Sequence, residues 1–544
     1  MKMNSLKKAC AMAFSLALMG SMMVPVMADE KEPLEITVVD GSEPSTLDPN
    51  EANSNDSMAK ILHLYEGLMR YSSSGEEVEY GQAESYDVSE DGLTYTFHLR
   101  DGITWSDGQP VTAGDFVYSW QRLVSGGFDN SNFIDMVKNA VEIQNGSVDK
   151  SELGVEATDD KTLVVTLKNP CVYFPQIVAA AVTCPVRQDM VESGDQWYAS
   201  ADTNIGNGPF KLDEWANQDH ITMVANENYF EADAVGPTKL TWSLMDDDNT
   251  ILASFESGDI MYASTYPTEE YERLNDAGYV HSAALAGTYY IEVNSGEGND
   301  NPALADPKVR RALALAIDRN YIVDTIKRTG EIAADTFIGD GFEEGDGVQF
   351  HEKANKFWDN DTYEANCEEA KQLLADAGYP NGEGFPTLKY SINNGSGHQA
   401  IAEYLQSCWS EVLGIEAQID SQEWAVFLDM RESGDYQMAR AGWTVDFFDP
   451  ASLFELWNSW SGNNDAFYNS SEYDDLIAKA QNEPDPAARF EYLHQAEDVL
   501  GQDLPVIPLY YYSTTYLADS ENYDGYFIYL GLPMFKYTTA KAAE

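Results

Sequence analysis

The chain has 544 residues, more than one hydrophobic core sustains, so two or more lobes are expected. It is 43% hydrophobic and 12% aromatic, and its formal charge of -60 excludes nucleic acid and anionic lipid as partners, since both need basic patches. The surplus acid either serves solubility or attracts cationic ligands, and net charge alone does not separate the two.

Lys2, Lys7 and Lys8 precede an uncharged run from Ala9 to Met27, and Val26-Met27-Ala28 stands just before Asp29-Glu30. That is the pattern of a secretory signal peptide ending at residue 28. An uncleaved anchor is the alternative, because roughly 20 apolar residues just span a bilayer. Pro25 and the small residue Ala28 favour cleavage. Cys10 follows Lys7-Lys8-Ala9 rather than an apolar run, so it does not read as a lipid-attachment cysteine.

Beyond the leader, short strands alternate with amphipathic helices. Ser89-Glu90-Asp91-Gly92 is a turn, after which Tyr95, Phe97 and Leu99 alternate with polar residues as in a half-buried strand. Thr112 to Asp115 has the form of a capping box, opening a helix with Phe116, Trp120 and Leu123 on one face. Asp159-Asp160-Lys161 precedes a strand through Leu163, Val165 and Leu167. Asp246-Asp247-Asp248-Asn249 lacks the alternate spacing and glycine of a calcium loop, and reads as the acidic start of a helix carrying Ile251, Leu252 and Phe255. Asp306-Pro307 is an N-cap with proline at the first helical position, ahead of Val309, Leu313, Ala316 and Ile317. Ile401 to Leu413 is a helix with Leu405, Cys408 and Val412 inward, stopped by Gly414. Ile415, Ala417 and Ile419 then alternate as a strand. This interleaving predicts an α/β protein with mixed sheets. No internal repeat or low-complexity linker separates the lobes, so several chain crossings should knit them together.

Catalytic signatures are absent. The seven histidines fall in no metal-binding spacing, and there is no G-x-S-x-G elbow, phosphate-binding loop or dinucleotide fingerprint. The expectation is no enzyme, no catalytic residue, no metal and no cofactor. Cys171, Cys184, Cys367 and Cys408 include no CxxC pair. In an exported protein Cys171 and Cys184 either form a disulfide or remain buried thiols, and the spacing leaves both open.

Five segments carry a resemblance. They are Leu47-Asp48-Pro49 with Tyr65-Glu66-Gly67-Leu68; DGLTYTFHLRDGITWSDGQPVTAGDFVYSWQRL from Asp91 to Leu123; Gly206-Asn207-Gly208-Pro209-Phe210 with Tyr289 to Asn294 and DPKVRRALALAIDR from Asp306; SQEWAVFLDMRESGDYQMARAGWTVDFFDP from Ser421; and Pro505 to Tyr512. Together they resemble the oligopeptide-binding proteins of ABC importers, the extracellular solute-binding family 5. The resemblance implies a periplasmic-binding-protein-like fold (type II, cluster C), with two ligand-clamping lobes and an extra inserted domain. It implies a first domain from segments 29–70, 200–286 and 514–544, an insertion over 71–199, and a ligand-binding lobe over 287–513.

The implied function is extracytoplasmic capture of oligopeptides in an interdomain cleft for import. The implied partners are the peptide and the membrane permease subunits of an ABC importer, with the protein monomeric and exported to a periplasm or to the outer face of the cytoplasmic membrane. The residue matching the family's partner for the peptide ammonium is Asp446. Those matching its carboxylate partners are Arg440, His398 and Lys327, of which a histidine serves only when protonated. Trp424, Trp443 and Tyr512 match cavity-lining aromatics, and Tyr289 and Tyr290 lie near another. Backbone groups of Gly442 and Thr444 should bond an extended peptide, and the loop Asn53 to Asp56, with Asn55, occupies a further contact position. Thr444 stands where some relatives have cysteine, so their disulfide is expected to be missing, and Glu432 follows Arg431 where a relative has a basic residue. Peptide length and sequence preference therefore stay open, as do nutrient import against sensing. A same-fold receptor for a dipeptide, metal chelate, haem or sugar remains the alternative, with a secreted hydrolase behind it.

Overall fold

The computed structural model describes residues 33–41, 43–73, 78–296, 298–344, 348–445 and 447–541. The expected signal peptide and Asp446 lie outside the described residues, and residues 35–544 form one compact unit. Among the described residues no helix is long and apolar enough to cross a membrane.

Local chemistry places the elements much as expected. Thr94–Leu99 is a strand whose Tyr95, Phe97 and Leu99 are buried while their neighbours are half-exposed. In the helix Ala113–Ser125 the Thr112 N–H donates to the Asp115 carboxylate at 2.8 Å, closing the capping box. Asp247 caps Asp248–Ser257 by accepting from the Thr250 N–H at 2.8 Å, so the acidic run is a helix start. Asp306 likewise caps Pro307–Leu315. The helix expected from Ile401 begins earlier and runs Ser396–Leu413. Its first turn is polar and gives no apolar period to read, yet that turn carries His398. Val412 on this helix is half-buried rather than inward. Gly414 ends it in the left-handed conformation at φ 69°, and the Ile415 N–H turns back onto Trp409 O. The next strand therefore starts at Ala417, not Ile415. Cys171, Cys184, Cys367 and Cys408 are buried free thiols, so the disulfide reading of the first two fails.

One eleven-stranded sheet carries the unit. From one edge its order is Ala417–Gln422, Leu388–Asn393, Met438–Thr444, Val280–Val293, Val506–Ala518, Tyr262–Ala263, Glu35–Val39, Lys239–Ser243, His220–Ala225 and Phe210–Ala216, with Ile332–Ala333 also paired to Val506–Ala518. The two long central strands run antiparallel through the whole span. Their register breaks midway, where Leu285, Ala286 and Gly287 stand opposite Tyr512 alone. A bulge of this kind bends a strand and raises its twist. On one side of it, Ile251, Phe255, Leu274 and Leu517 share a small core; on the other, Val309, Leu313, Leu405, Trp409 and Leu493 belong to a larger one. The bulge thus sits where two cores meet.

A separate four-stranded sheet, in the order Ala83–Val88, Thr94–Leu99, Thr162–Thr166 and Val155–Asp159, packs Tyr95 and Trp120 around Phe174. Three of the resembling segments are explained by how they dock. Asp48 is buried and receives Arg122 through both carboxylate oxygens, at 2.9 and 2.5 Å. Asn207 bonds the backbone N–H and C=O of Glu66 at 3.0 and 2.8 Å, and a Cβ on Gly206 or Gly208 would overlap the Leu64 backbone.

In the larger lobe His351 lies between Asp335 (2.7 Å) and Asp340 (2.9 Å) and pins the segment between those two residues to the helix Phe350–Lys353. Burial opposes its charge, but the two carboxylates outweigh burial and raise its pKa from 6.5 to about 9. The folded state therefore holds a proton that the unfolded chain releases between these values. The resulting stability, on the order of 3 kcal/mol, is complete below pH 6.5 and lost as pH rises through 9. Melting temperature is expected to fall across this window in the wild type and to stay flatter in His351→Gln. Parallel curves for the two proteins would remove His351 as the cause.

Candidate functional site

Two cavities meet at Trp443 and Asn463. One, of about 610 Å³, has walls from distant stretches of chain, represented by Asn55, Phe133, Ile177, Leu285, Thr444 and Leu532. The other, of about 760 Å³, is lined by Trp424, Arg431, Gly442, Trp443 and the loop from Ser459 to Asn469. The strand Met438–Thr444 runs between them.

Hydrogen bonding of that strand shows which way its backbone faces. The Asn294 N–H bonds Gln437 O at 3.1 Å, and the Val445 N–H bonds Ala286 O at 2.9 Å. Between these two bonds the register with Val280–Val293 is unbroken. Antiparallel alternation then turns the N–H and C=O of Ala439, Ala441 and Trp443 toward that strand, and those of Arg440, Gly442 and Thr444 away from it. On the outer side, Leu388–Asn393 pairs only with Met438 and Ala439. No other described strand lies beside the rest, so Gly442 and Thr444 face the cleft as a free sheet edge.

Behind Gly442 the expected basic and aromatic residues gather. Tyr289 Oη is 3.0 Å from His398 Nδ1, and its ring stacks on Tyr510 at 4.7 Å and meets Tyr512 edge-on at 6.3 Å. A Cβ on residue 442 would overlap the Tyr512 hydroxyl, so any larger residue there would have to displace that ring. The Arg440 Nε donates to Asn393 Oδ1 at 2.5 Å, and its guanidinium lies 5.3 Å from the centre of Trp424. Lys327 is 5.6 Å from the Tyr510 ring and is paired with the buried carboxylate of Glu331 at 3.0 Å. Burial, with the charges of Arg440 and Lys327, lowers the His398 pKa to about 4. At neutral pH His398 is therefore uncharged and offers hydrogen bonding rather than a cation.

Tyr290 is not part of this group. Successive residues of a strand point to opposite faces, and Tyr290 is buried edge-on against Phe337 and Trp457, at 5.5 and 5.4 Å, in the core of the larger lobe. Asp446 lies outside the described residues, although its neighbours Val445 and Phe447 both line the smaller cavity. Sequence reading missed Phe133, Ile177, Leu285, Leu532 and Asn463. All are ordinary apolar or amide residues that only the fold brings to one cleft; the turn-rich run Ser461 to Asp465 was the single visible signal.

The family model for bacterial extracellular solute-binding proteins, family 5 (middle), matches residues 77–465. The chain belongs to this family. Among family 5 relatives, the oligopeptide-binding protein OppA of Bacillus subtilis is 32% identical over 508 residues, covering 91% of each chain. The unliganded open form of the periplasmic murein tripeptide-binding protein MppA superposes with a TM-score of 0.84 at 30% identity, covering 94% of this chain and 98% of the other. Haemophilus influenzae OppA in complex with the peptide RPPGFSPFR superposes with a TM-score of 0.67 at 29% identity, covering 93% and 99%. The likeness is thus greater to the open, unliganded form than to this peptide complex.

Proposed function

We propose that this family 5 protein captures oligopeptides outside the cytoplasm, as a monomer, and hands them to the permease of an ABC importer without chemically altering them. The observation that carries the reading is the free edge at Gly442 and Thr444, which faces a cleft large enough for an extended chain. Main-chain bonding to such an edge gives affinity without demanding particular side chains. The names of the relatives and the bound peptide of one of them support the same ligand class. In this reading Asp446 takes the peptide ammonium and Arg440 its carboxylate, with neutral His398 as an auxiliary donor. Segments 29–70, 200–286 and 514–544 form the domain that moves against 287–513, with the bulge at Leu285–Gly287 as one hinge point. Greater similarity to an open form supports an open state here that closes on its ligand.

Thr444→Pro tests the edge directly. Its N–H points away from the Val280–Val293 strand, so proline removes a donor to the ligand while leaving the internal ladder intact. Affinity for a tripeptide, measured by isothermal titration, is expected to fall by roughly tenfold, the value of one to one and a half kcal/mol of hydrogen bond. The melting temperature should stay close to that of the wild type. Unchanged affinity would remove β-pairing at Thr444 from the reading, and hydrolysis of the peptide during the titration would remove simple capture.

A further inference from the structure

The cavity of about 760 Å³ opens beside Gly442 and Trp443, at the edge where an added strand would run. Side chains of an extended ligand alternate between faces, so one of them enters this cavity. Its walls include the rings of Trp424, Trp443 and Phe467, with Trp424 47% exposed. Its charges are unbalanced. Arg431 donates to both oxygens of Glu292, at 2.8 and 3.0 Å, and lies 2.9 Å from Asp465. Glu292 is buried behind the wall, where burial raises its pKa to about 7, so the carboxylates of the wall itself are Asp465 and Glu432. Glu432 is exposed there and forms no ion pair among the described residues. Arg440, a further cation nearby, is bonded to Asn393 and does not line the cavity.

Such a wall suits a long aliphatic stem ending in a cation. The stem gains from apolar burial, and an ammonium or guanidinium gains from aromatic faces as well as from carboxylates. An acidic side chain would meet Glu432 and Asp465, while Arg431, the cation that lines this wall, is already paired with carboxylates. Resting on the peptide reading above, we propose that this cavity takes a basic side chain of the bound peptide, and that Glu432 sets a preference for lysine or arginine over acidic residues there. The chain's formal charge of -60 favours the approach of the same ligands.

The test is a positional series titrated calorimetrically: trialanine with lysine or glutamate at each position in turn, against wild type, Glu432→Gln and Glu432→Lys. At one position lysine is expected to bind about tenfold more tightly than glutamate, the discrimination of one well-placed charge contact. That ratio should shrink at least about threefold in Glu432→Gln and further in Glu432→Lys. Melting curves confirm that the exposed substitutions leave the fold intact. Discrimination of less than about twofold at every position, or a ratio that persists in both variants, overturns the proposal. Failure of every peptide to bind the wild type overturns the peptide reading itself, and this inference with it.

Discussion

Asp446→Asn is expected to weaken binding of a free peptide such as Lys-Ala-Lys by more than about 100-fold, because an enclosed ammonium left without its anion costs roughly 3–5 kcal/mol. The substitution keeps the size of the side chain and one acceptor oxygen, while removing the charge and turning the other acceptor into an N–H donor. The role assigned to Asp446 rests on its match to the family motif around Arg440 to Trp443 and on the place of its neighbours, since Val445 and Phe447 both line the cleft. The decisive comparison uses the N-acetylated peptide, which carries no ammonium. If Asp446 holds that group, acetylation should weaken binding to the wild type severely and binding to Asp446→Asn hardly at all. This is the logic of a double-mutant cycle with one change made in the ligand. Equal losses on acetylation in both proteins would take the ammonium away from Asp446, and the co-purified ligand of the native protein would then be the next thing to identify.

Asp449→Ala should have the largest effect on stability. Asp449 is buried and receives Arg489 through both oxygens, at 2.9 and 2.5 Å, while Arg489 is itself only 3% exposed. Removing the aspartate strands a buried guanidinium, at a cost of about 3–5 kcal/mol. Replacing both partners by apolar residues leaves no uncompensated charge, so Asp449→Leu with Arg489→Met should recover most of the loss. The pair also braces the cleft wall. Tyr173, 5.8 Å from the Arg489 guanidinium, stacks on Phe447 at 4.3 Å and donates to Glu455 at 3.2 Å, tying the 71–199 region to the segment that follows Asp446. Peptide affinity of Asp449→Ala should therefore fall along with its denaturation midpoint. A loss under about 1 kcal/mol in the single variant, or no recovery in the double, would mean that water reaches this pair.

How much of this was legible in the sequence depends on the range of the physics involved. The strand at Tyr95–Leu99, the capping box at Thr112, the cap at Asp306 and the stop at Gly414 arise from alternation, local hydrogen bonds and backbone freedom within a short stretch of chain, so the chain alone determined them. The family, too, was written in contiguous motifs. Their reasons were not local: Asp48 meets Arg122, and Asn207 meets Glu66, across more than seventy intervening residues. Only the tertiary structure decided which of two adjacent tyrosines stands beside His398 and which enters the core. That follows from strand parity, with Tyr289 turned toward His398 and Tyr290 toward Trp457. It also decided the charge of His398, through burial beside Arg440 and Lys327, and the free edge at Gly442 and Thr444, through where the neighbouring strand stops pairing. Pattern within a segment is set by covalent geometry and local hydrogen bonding. Exposure, charge state and unpaired edges are set by whatever the fold brings alongside, and no window of sequence contains that.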